Sequence, residues 1–129
     1  MNRIRALHVD DDSEFADMVA CFLRKVDDRF EVTTETRGED ALEVLNRSGA
    51  DIDCVVSDYA LSGMDGLELL DRVRATYPDL PFVLFTGRGS EEVASEALAA
   101  GATDYLQKGS GTEQYELLAN RLVNAVSRY

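Results

Sequence analysis

Five short β-rich segments alternate with five segments of helical periodicity along this chain of 129 residues. Strands are predicted at residues 4–9, 30–34, 52–57, 81–86 and 103–106. The third of them is almost continuously apolar, which is typical of a strand covered on both faces. Because strands that alternate with helices form parallel sheets with right-handed crossovers, the pattern predicts one α/β domain with helices on both faces.

Apolar residues recur at helical spacing in the segments between the strands. After the first strand, this spacing is met by Phe15, Met18, Val19, Phe22, Leu23 and Val26. A short helix is predicted over residues 39–46, and the helix behind the third strand is marked by Leu67, Leu70, Val73 and Tyr77. On the last helix, the periodic residues are predicted to be core rather than interface: Tyr115, Leu118, Leu122 and Val126.

Capping residues indicate where these helices begin. Asp12 is predicted to cap the first helix, and Asp65, with Glu68 three residues on, resembles a capping box for the third. Ser90 is predicted to cap the fourth helix, which extends to residue 100. Thr112 is predicted to begin the fifth helix, which extends to residue 129.

The chain is strongly acidic: 13 Lys+Arg against 25 Asp+Glu give a formal net charge of −12. This charge repels phosphate backbones and anionic membranes, and the cations are scattered rather than gathered in a basic stripe. We therefore expect no direct binding to nucleic acid or to membranes. Acids spread along the whole chain favour a solvated shell that keeps a protein soluble in very high salt, which suggests an extreme halophile as the source.

Targeting signals and a second domain are not predicted. No apolar stretch approaches the ~20 residues that span a bilayer, and no signal peptide or anchor precedes the first strand, so a cytoplasmic location is expected. Cys21 and Cys54 lie far apart and the chain has one His, which argues against a zinc site and a disulfide scaffold. Both thiols are expected to be reduced and buried. With no linker, residues 1–129 are predicted to form one domain without an output domain.

Side chains suited to phosphate chemistry follow the predicted strands, at the carboxyl ends where open parallel sheets place their reactive site. They are Asp10, Asp11, Asp12, Asp58, Thr86 and Lys108. Crowded carboxylates repel one another unless a cation lies among them, and Mg²⁺ prefers such hard oxygen ligands. A carboxylate can also attack a phosphoryl group whose oxygens are neutralised by a cation, a lysine and a hydroxyl. The set therefore predicts a phosphoaspartate site.

Five motifs, in this order and spacing, make the chain resemble the receiver domain of two-component response regulators over essentially its whole length. They are LHVDDD at residues 7–12, DYALSGMDG at 58–66, FTG at 85–87, AAGATDY at 99–105, and Lys108. The resemblance implies a flavodoxin-like, doubly wound (βα)5 domain whose five-stranded parallel sheet has the order 2-1-3-4-5. It also implies a signalling switch rather than a turnover enzyme, one that catalyses only its own phosphotransfer and dephosphorylation.

The resemblance also assigns roles in the site. Asp58 would accept a phosphoryl group from a histidine kinase or phosphotransfer protein. Mg²⁺ (or Mn²⁺) would be bound directly by Asp11, through water by Asp10, and by Asp58 and the backbone carbonyl of Ala60.

The remaining roles concern the switch. Thr86 and Lys108 would contact the phosphoryl oxygens, and Thr86 and Tyr105 would form a switch pair in which the aromatic ring rotates inward. That movement would rearrange the face made by helix four, strand five and helix five, which would signal to a downstream effector protein or a missing effector domain, or form a homodimer. Phosphorylation adds about −1.5 to −2 charges beside a two-state element, as such a switch requires.

Three positions bear on how well the family pattern applies. Lys108 is followed by Gly109, where the family usually has a proline in a cis peptide. A cis bond before a non-proline residue costs about 2.5–4 kcal/mol, so this loop either holds an unusual cis bond or takes another path. Ser62 stands where proline is common and is expected to loosen the loop over the site. Small Ala60 leaves the approach to Asp58 open and is expected to shorten the lifetime of the acyl phosphate.

Two other functions remain open. Asp10 and Asp12 after an apolar strand resemble the nucleophile and acid of haloacid-dehalogenase-type phosphatases, although the chain is short, lacks a cap insertion and leaves Asp58 unexplained. A pseudo-receiver that binds partners without phosphorylation is supported only by the missing proline after Lys108.

Several nearby residues fit a structural role at least as well as a role in the chemistry. His8 is predicted to be packing inside the first strand rather than a phosphorelay histidine. Asp104 is predicted to cap or face solvent, and Tyr105 is as consistent with a static aromatic at the sheet edge as with a switch. Arg88 could meet a phosphate or a partner's carboxylate, but most surface arginines do neither.

Overall fold

The computed structural model describes residues 3–87, 91–109 and 111–129. In these ranges the strands are β1 Ile4–Val9, β2 Phe30–Glu35, β3 Cys54–Ser57, β4 Phe82–Thr86 and β5 Asp104–Gln107. The helices are α1 Ser13–Val26, α2 Gly38–Ser48, α3 Gly66–Thr76, α4 Glu91–Ala99 and α5 Glu113–Arg128, with a short 3₁₀ turn at Gly49–Asp51. None of the described helices combines the length and the apolar character needed to cross a membrane.

The strands form one parallel sheet in the order β2-β1-β3-β4-β5. Ala6 of β1 pairs with Val32 on one side and with Cys54 on the other, and Leu84 of β4 pairs with Tyr105 of β5. The predicted strand order is therefore confirmed. In a sheet of this order, the chain changes its winding direction between β1 and β3, which is where such folds place their site.

The core consists of two layers, one on each face of the sheet. Alternate residues of β1 belong to different layers: Ile4 and Ala6 pack under α1 and α5, whereas Leu7 and Val9 pack under α2 and α3. The predicted core residues of α5 are buried: Tyr115, Leu118, Leu122 and Val126. Burial on both faces explains why β3 reads as a continuous apolar run.

Element boundaries differ from the predictions by one or two residues. β3 begins at Cys54, because Ile52 donates its N–H to the Gly49 carbonyl (3.2 Å) and thereby closes the preceding turn. β5 is shifted by one residue, and α2 is longer than predicted at both ends. The predicted cap of α4, Ser90, lies outside the described residues.

The prediction that both thiols are buried is wrong for one of them. Cys54 is buried in β3, but Cys21 is exposed on α1. Cys21 is two residues from the buried Val19 and Leu23, about 200° around the helix, and therefore faces away from the core.

Candidate functional site

The carboxyl ends of β1 and β3 bring the predicted acids together. The Asp10 amide donates to the Glu35 carbonyl (3.0 Å) and the Asp58 amide to the Val9 carbonyl (2.9 Å), so sheet hydrogen bonding holds both residues just beyond their strands. Asp10, Asp11 and Asp58 each present an oxygen, and these three oxygens lie within 4.8 Å of one another. This set of hard oxygen donors fits a divalent cation such as Mg²⁺.

Asp12, which follows Asp10 and Asp11 along the chain, caps the N-terminus of α1, as predicted. Its amide donates to Asp10 Oδ1 (2.9 Å), and its own Oδ1 accepts from the Phe15 amide (3.1 Å) at the start of α1. The Asp12 carboxylate is therefore engaged by the helix N-terminus.

Lys108, which follows β5, reaches into the acidic cluster. Its Nζ donates to Asp10 Oδ2 (2.9 Å) and to Asp58 Oδ2 (3.0 Å), and it lies 4.2 Å from the centre of the Phe15 ring. Burial by itself lowers the pKa of Lys108, but the hydrogen bonds to the two carboxylates outweigh that effect, and the net pKa is raised. The ammonium is therefore charged at neutral pH and balances two carboxylates that face each other.

The two carboxylates differ in access. The side chain of Asp10 is 1% exposed and that of Asp58 is 11% exposed, at the wall of a cleft of about 340 Å³. Ala60, Leu61 and Ser62 line the same cleft. A donor approaching from the cleft would therefore meet Asp58 more readily than Asp10.

The peptide bond between Lys108 and Gly109 is not cis, so of the two alternatives offered by the sequence, the loop has a path without a cis bond. No peptide bond among the described residues, which include Lys108 and Gly109, is cis. The Lys108 amide donates to the Thr86 carbonyl (3.0 Å) at the end of β4. After Lys108, the side chain of Gln114 forms hydrogen bonds with the backbone of Gly109 and Gly111. Lys108 thus reaches the acids without the usual proline.

The last residue of β3 and the first residue of α3 each have a role at the site that the sequence patterns did not single out. The Ser57 hydroxyl donates to the Asp58 carbonyl (2.8 Å) and is buried. Gly66 packs so closely that a Cβ there would lie 2.3 Å from the same carbonyl oxygen. Asp65 caps α3 as predicted, accepting from the Glu68 amide (2.9 Å). Gly66 lies in the matched 58–66 motif, but only the close approach reveals its steric role.

The loop over the cleft is tied to its neighbour. Ser62 forms an isolated parallel bridge with Arg37, in the connection between β2 and α2. Asp58 Oδ1 accepts from the Tyr59 amide (2.7 Å). The bridge attaches the loop backbone at Ser62, the position where the family commonly has a proline.

His8 lies in β1, two residues before Asp10, and is a buried packing residue, as predicted. It is 1% exposed, and neither ring nitrogen has a hydrogen-bond partner within the described part of the chain. Its Nε2 is 4.0 Å from Asp10 Oδ2. Burial lowers the pKa of His8 from 6.5 to about 4, although the nearby Asp10 acts in the opposite direction, so the ring is neutral at pH 7.

The two residues of the predicted switch lie on adjacent strands. Thr86 is fully buried at the end of β4. Tyr105 is half-buried on β5, and its hydroxyl is buried without a hydrogen-bond partner among the residues described. Asp104 is half-buried and forms an ion pair with Arg121, rather than only capping or facing solvent. Arg88 lies outside the described residues.

Known proteins match both the sequence and the fold of this chain. The family model for the response regulator receiver domain matches residues 6–120. The chain belongs to this family. The resemblance to response regulator receivers is therefore confirmed, and this chain is a receiver domain of the two-component signalling family.

Individual relatives support the assignment. The transcriptional regulatory protein FixJ of Bradyrhizobium diazoefficiens is 36% identical over 100 residues, covering 78% of this chain and 47% of FixJ. The receiver domain of NtrX from Brucella abortus is 33% identical, with a TM-score of 0.79 over 92% of this chain and 98% of that one. A receiver domain from Clostridium thermocellum, at 24% identity, shares the fold with a TM-score of 0.86 over 97% of this chain and 95% of that one. The chain spans 25%, 47% and 52% of three curated relatives that it matches.

Proposed function

We propose that Asp58 is the phosphoacceptor of this receiver and takes its phosphoryl group from a histidine kinase or phosphotransfer protein. The observation that carries this proposal is the Lys108 ammonium, bonded to both Asp10 and Asp58 at the mouth of the cleft. Asp58 is the more accessible of the two carboxylates, and a nucleophile must be reached by its donor.

In the proposed transfer, a carboxylate oxygen of Asp58 forms a bond to the donor's phosphorus. The bond from phosphorus to the donor nitrogen, or to oxygen in a small acyl phosphate, breaks and its electron pair leaves with the donor. Hydrolysis later returns the carboxylate and releases inorganic phosphate, with water as the attacking group. Lys108 and Thr86 contact the phosphoryl oxygens, where positive charge and a hydroxyl donor stabilise developing negative charge.

In this proposal Asp11 and Asp58 would bind Mg²⁺ (or Mn²⁺) directly and Asp10 would bind it through water, together with the backbone carbonyl of Ala60. Support comes from the three carboxylate oxygens within 4.8 Å and from the place of Ala60 in the cleft wall. When bound, the ion neutralises charge on the phosphoryl oxygens.

Phosphorylation is read out through Thr86 and Tyr105 in this proposal. Their strands are hydrogen-bonded neighbours, and the Tyr105 hydroxyl is buried without a partner in the described ranges. The face made by α4, β5 and α5 then signals to an effector protein or domain, and it is also the surface proposed for a homodimer. Leu98 on α4 is 54% exposed on the molecule's surface.

The proposal places residues 1–129 in one receiver unit that works in the cytoplasm. Its output passes to another protein or domain rather than directly to nucleic acid or a membrane, since a net charge of −12 repels phosphate. The receiver acts as a switch, and its only chemistry is its own phosphorylation and dephosphorylation.

Intact mass after incubation with acetyl phosphate and Mg²⁺ in high salt tests the proposal. The native chain is expected to gain one phosphoryl group, about 80 Da, as the acyl phosphate that a carboxylate nucleophile forms. The gain should require Mg²⁺ and vanish in Asp58→Asn. No gain in a folded native chain would instead favour a pseudo-receiver.

A phosphatase centred on Asp10 predicts a different result. In that case phosphorylation would survive Asp58→Asn and vanish in Asp10→Asn. The structure offers no support for Asp12 as its acid, because the Asp12 carboxylate caps α1.

A further inference from the structure

Gln114, in the first turn of α5, bonds its side-chain amide to the loop that follows Lys108. Its Oε1 accepts from the Gly109 amide, and its Nε2 donates to the carbonyls of Gly109 (2.7 Å) and Gly111 (2.9 Å). One planar amide thus pairs with both the N–H and the C=O of the residue next to Lys108. Gln114 is half-buried, whereas Gly109 and Gly111 are exposed.

The two glycines of this loop contribute no packing that would fix its path. A Cβ built at Gly109 or Gly111 meets no atom within 4 Å, so these positions make no side-chain packing contacts. Glycine also loses more conformational freedom on ordering than any other residue. Before the glycines, the Lys108 amide is held by the Thr86 carbonyl (3.0 Å). Lys108 therefore lies between two backbone attachments, one from β4 and one from Gln114.

We propose that Gln114 is a positioning residue for Lys108: by holding the backbone of Gly109, it keeps the Lys108 ammonium between Asp10 and Asp58. This inference rests on the proposed phosphotransfer to Asp58. Gln114 restricts the loop where the family usually has a proline, through hydrogen bonds rather than through a ring. An amide is required, because a carboxylate of the same length accepts from Gly109 but has no N–H for the two carbonyls.

Loss of the Gln114 hydrogen bonds is expected to slow phosphorylation rather than to prevent folding. Lys108→Ala removes a charged donor to the phosphoryl oxygens and should slow phosphorylation by roughly 10²-fold, the scale found for single transition-state donors. Gln114→Ala retains the Lys108 side chain but restricts its position less, and should slow phosphorylation by roughly three- to tenfold. Gln114→Glu should have a similar effect to Gln114→Ala.

A double-mutant cycle tests the inference. The rate of phosphorylation by acetyl phosphate with Mg²⁺ is measured by intact mass for the native chain, Gln114→Ala, Lys108→Ala and the combined variant. If Gln114 acts through Lys108, Gln114→Ala slows the native chain but adds nothing once Lys108 is alanine. A purely structural role would lower both rates by the same factor.

Two controls distinguish loss of positioning from a change in the helix or in folding. Glu116→Ala changes an exposed side chain on the same helix and should leave the rate unchanged. Urea unfolding shows whether Gln114→Ala is folded; if it is not, Gln114→Glu, which keeps the side-chain length, replaces it in the cycle. A native rate in these Gln114 variants, or an equal loss in the Lys108→Ala background, would overturn the inference. Failure of the native chain itself to gain a phosphoryl group would overturn the proposed function, and this inference with it.

Discussion

The charge of Lys108 is the residue-scale feature that holds the site together. Asp10 and Asp58 face the same ammonium at 2.9 and 3.0 Å, and its raised pKa keeps it protonated at neutral pH. Removing one partner of a buried pair leaves charge without compensation, which costs more than the pair itself contributes.

Lys108→Met should therefore destabilise the protein in EDTA by about 1–3 kcal/mol, the usual cost of leaving a buried polar group unpaired. Added Mg²⁺ should restore part of the loss, because a cation again lies among the carboxylates. Urea unfolding measures both. Lys25 is the only other lysine in the sequence, so Lys25→Met is the matched control and should change stability little. Equal stability of Lys108→Met and the native chain in EDTA would contradict this role of the ammonium.

His8 gives the protein a pH-dependent stability. Its pKa is about 4 in the folded protein and 6.5 when unperturbed, so between these values the unfolded chain binds more protons. Stability is therefore expected to fall as pH drops from about 6.5 toward 4, by at most about 1.4 kcal/mol per pH unit from this one proton.

The contribution of His8 can be isolated, because it is the only histidine in the sequence. The free energy of unfolding of the native chain and of His8→Leu, measured in EDTA at pH 7.5, 6 and 5, should diverge as pH falls, with the native chain losing more. Parallel curves would show that His8 does not titrate in this way.

At the scale of elements, the junction between β3 and α3 fixes the backbone of Asp58. Gly66 begins α3 against the Asp58 carbonyl, and its amide donates to the Tyr59 carbonyl (2.8 Å). A methyl group at residue 66 would lie 2.3 Å from the Asp58 oxygen and 2.9 Å from Leu84 Cδ1, so the junction must shift to accept it.

Gly66→Ala should lower the free energy of unfolding by about 1–3 kcal/mol, as overpacking of a filled site does. It should also slow phosphorylation of Asp58, whose backbone moves. The matched control is Gly109→Ala, since a Cβ at residue 109 meets nothing within 4 Å and stability should stay nearly unchanged. Similar unfolding midpoints for the two variants would argue against close packing at Gly66.

At the scale of the whole molecule, the acidic excess sets the response to salt. A net charge of −12 on 129 residues repels itself in the compact state. Raising ionic strength from about 0.1 to 1 M shortens the Debye length from roughly 10 to 3 Å and screens that repulsion.

The urea concentration at the midpoint of unfolding should therefore rise with the concentration of KCl. A variant in which the exposed acids Asp17, Glu92 and Glu116 become amides should be less sensitive to salt, because it carries less charge to screen. A midpoint that is independent of KCl in both proteins would contradict adaptation to high salt.

Local patterns alone determined the kinds of elements and the identity of the strand-end groups. Alternation of short β-rich runs with helical periodicity is a property of neighbouring residues, so five strands, five helices and the cap at Asp12 were predictable. The order of Asp10, Asp58 and Lys108 along these elements was sufficient to predict a common site, because the carboxyl ends of parallel strands share one edge.

Only the tertiary structure decided how these groups meet. Lys108 and Asp10 are 98 residues apart, and the glycines that follow Lys108 carry no side chains whose preferences would fix the path of the loop. The Gln114 bonds, the close approach of Gly66 and the exposure of Cys21 likewise depend on neighbours that come together only in the folded chain. Such contacts follow from packing geometry, which a residue pattern constrains without specifying.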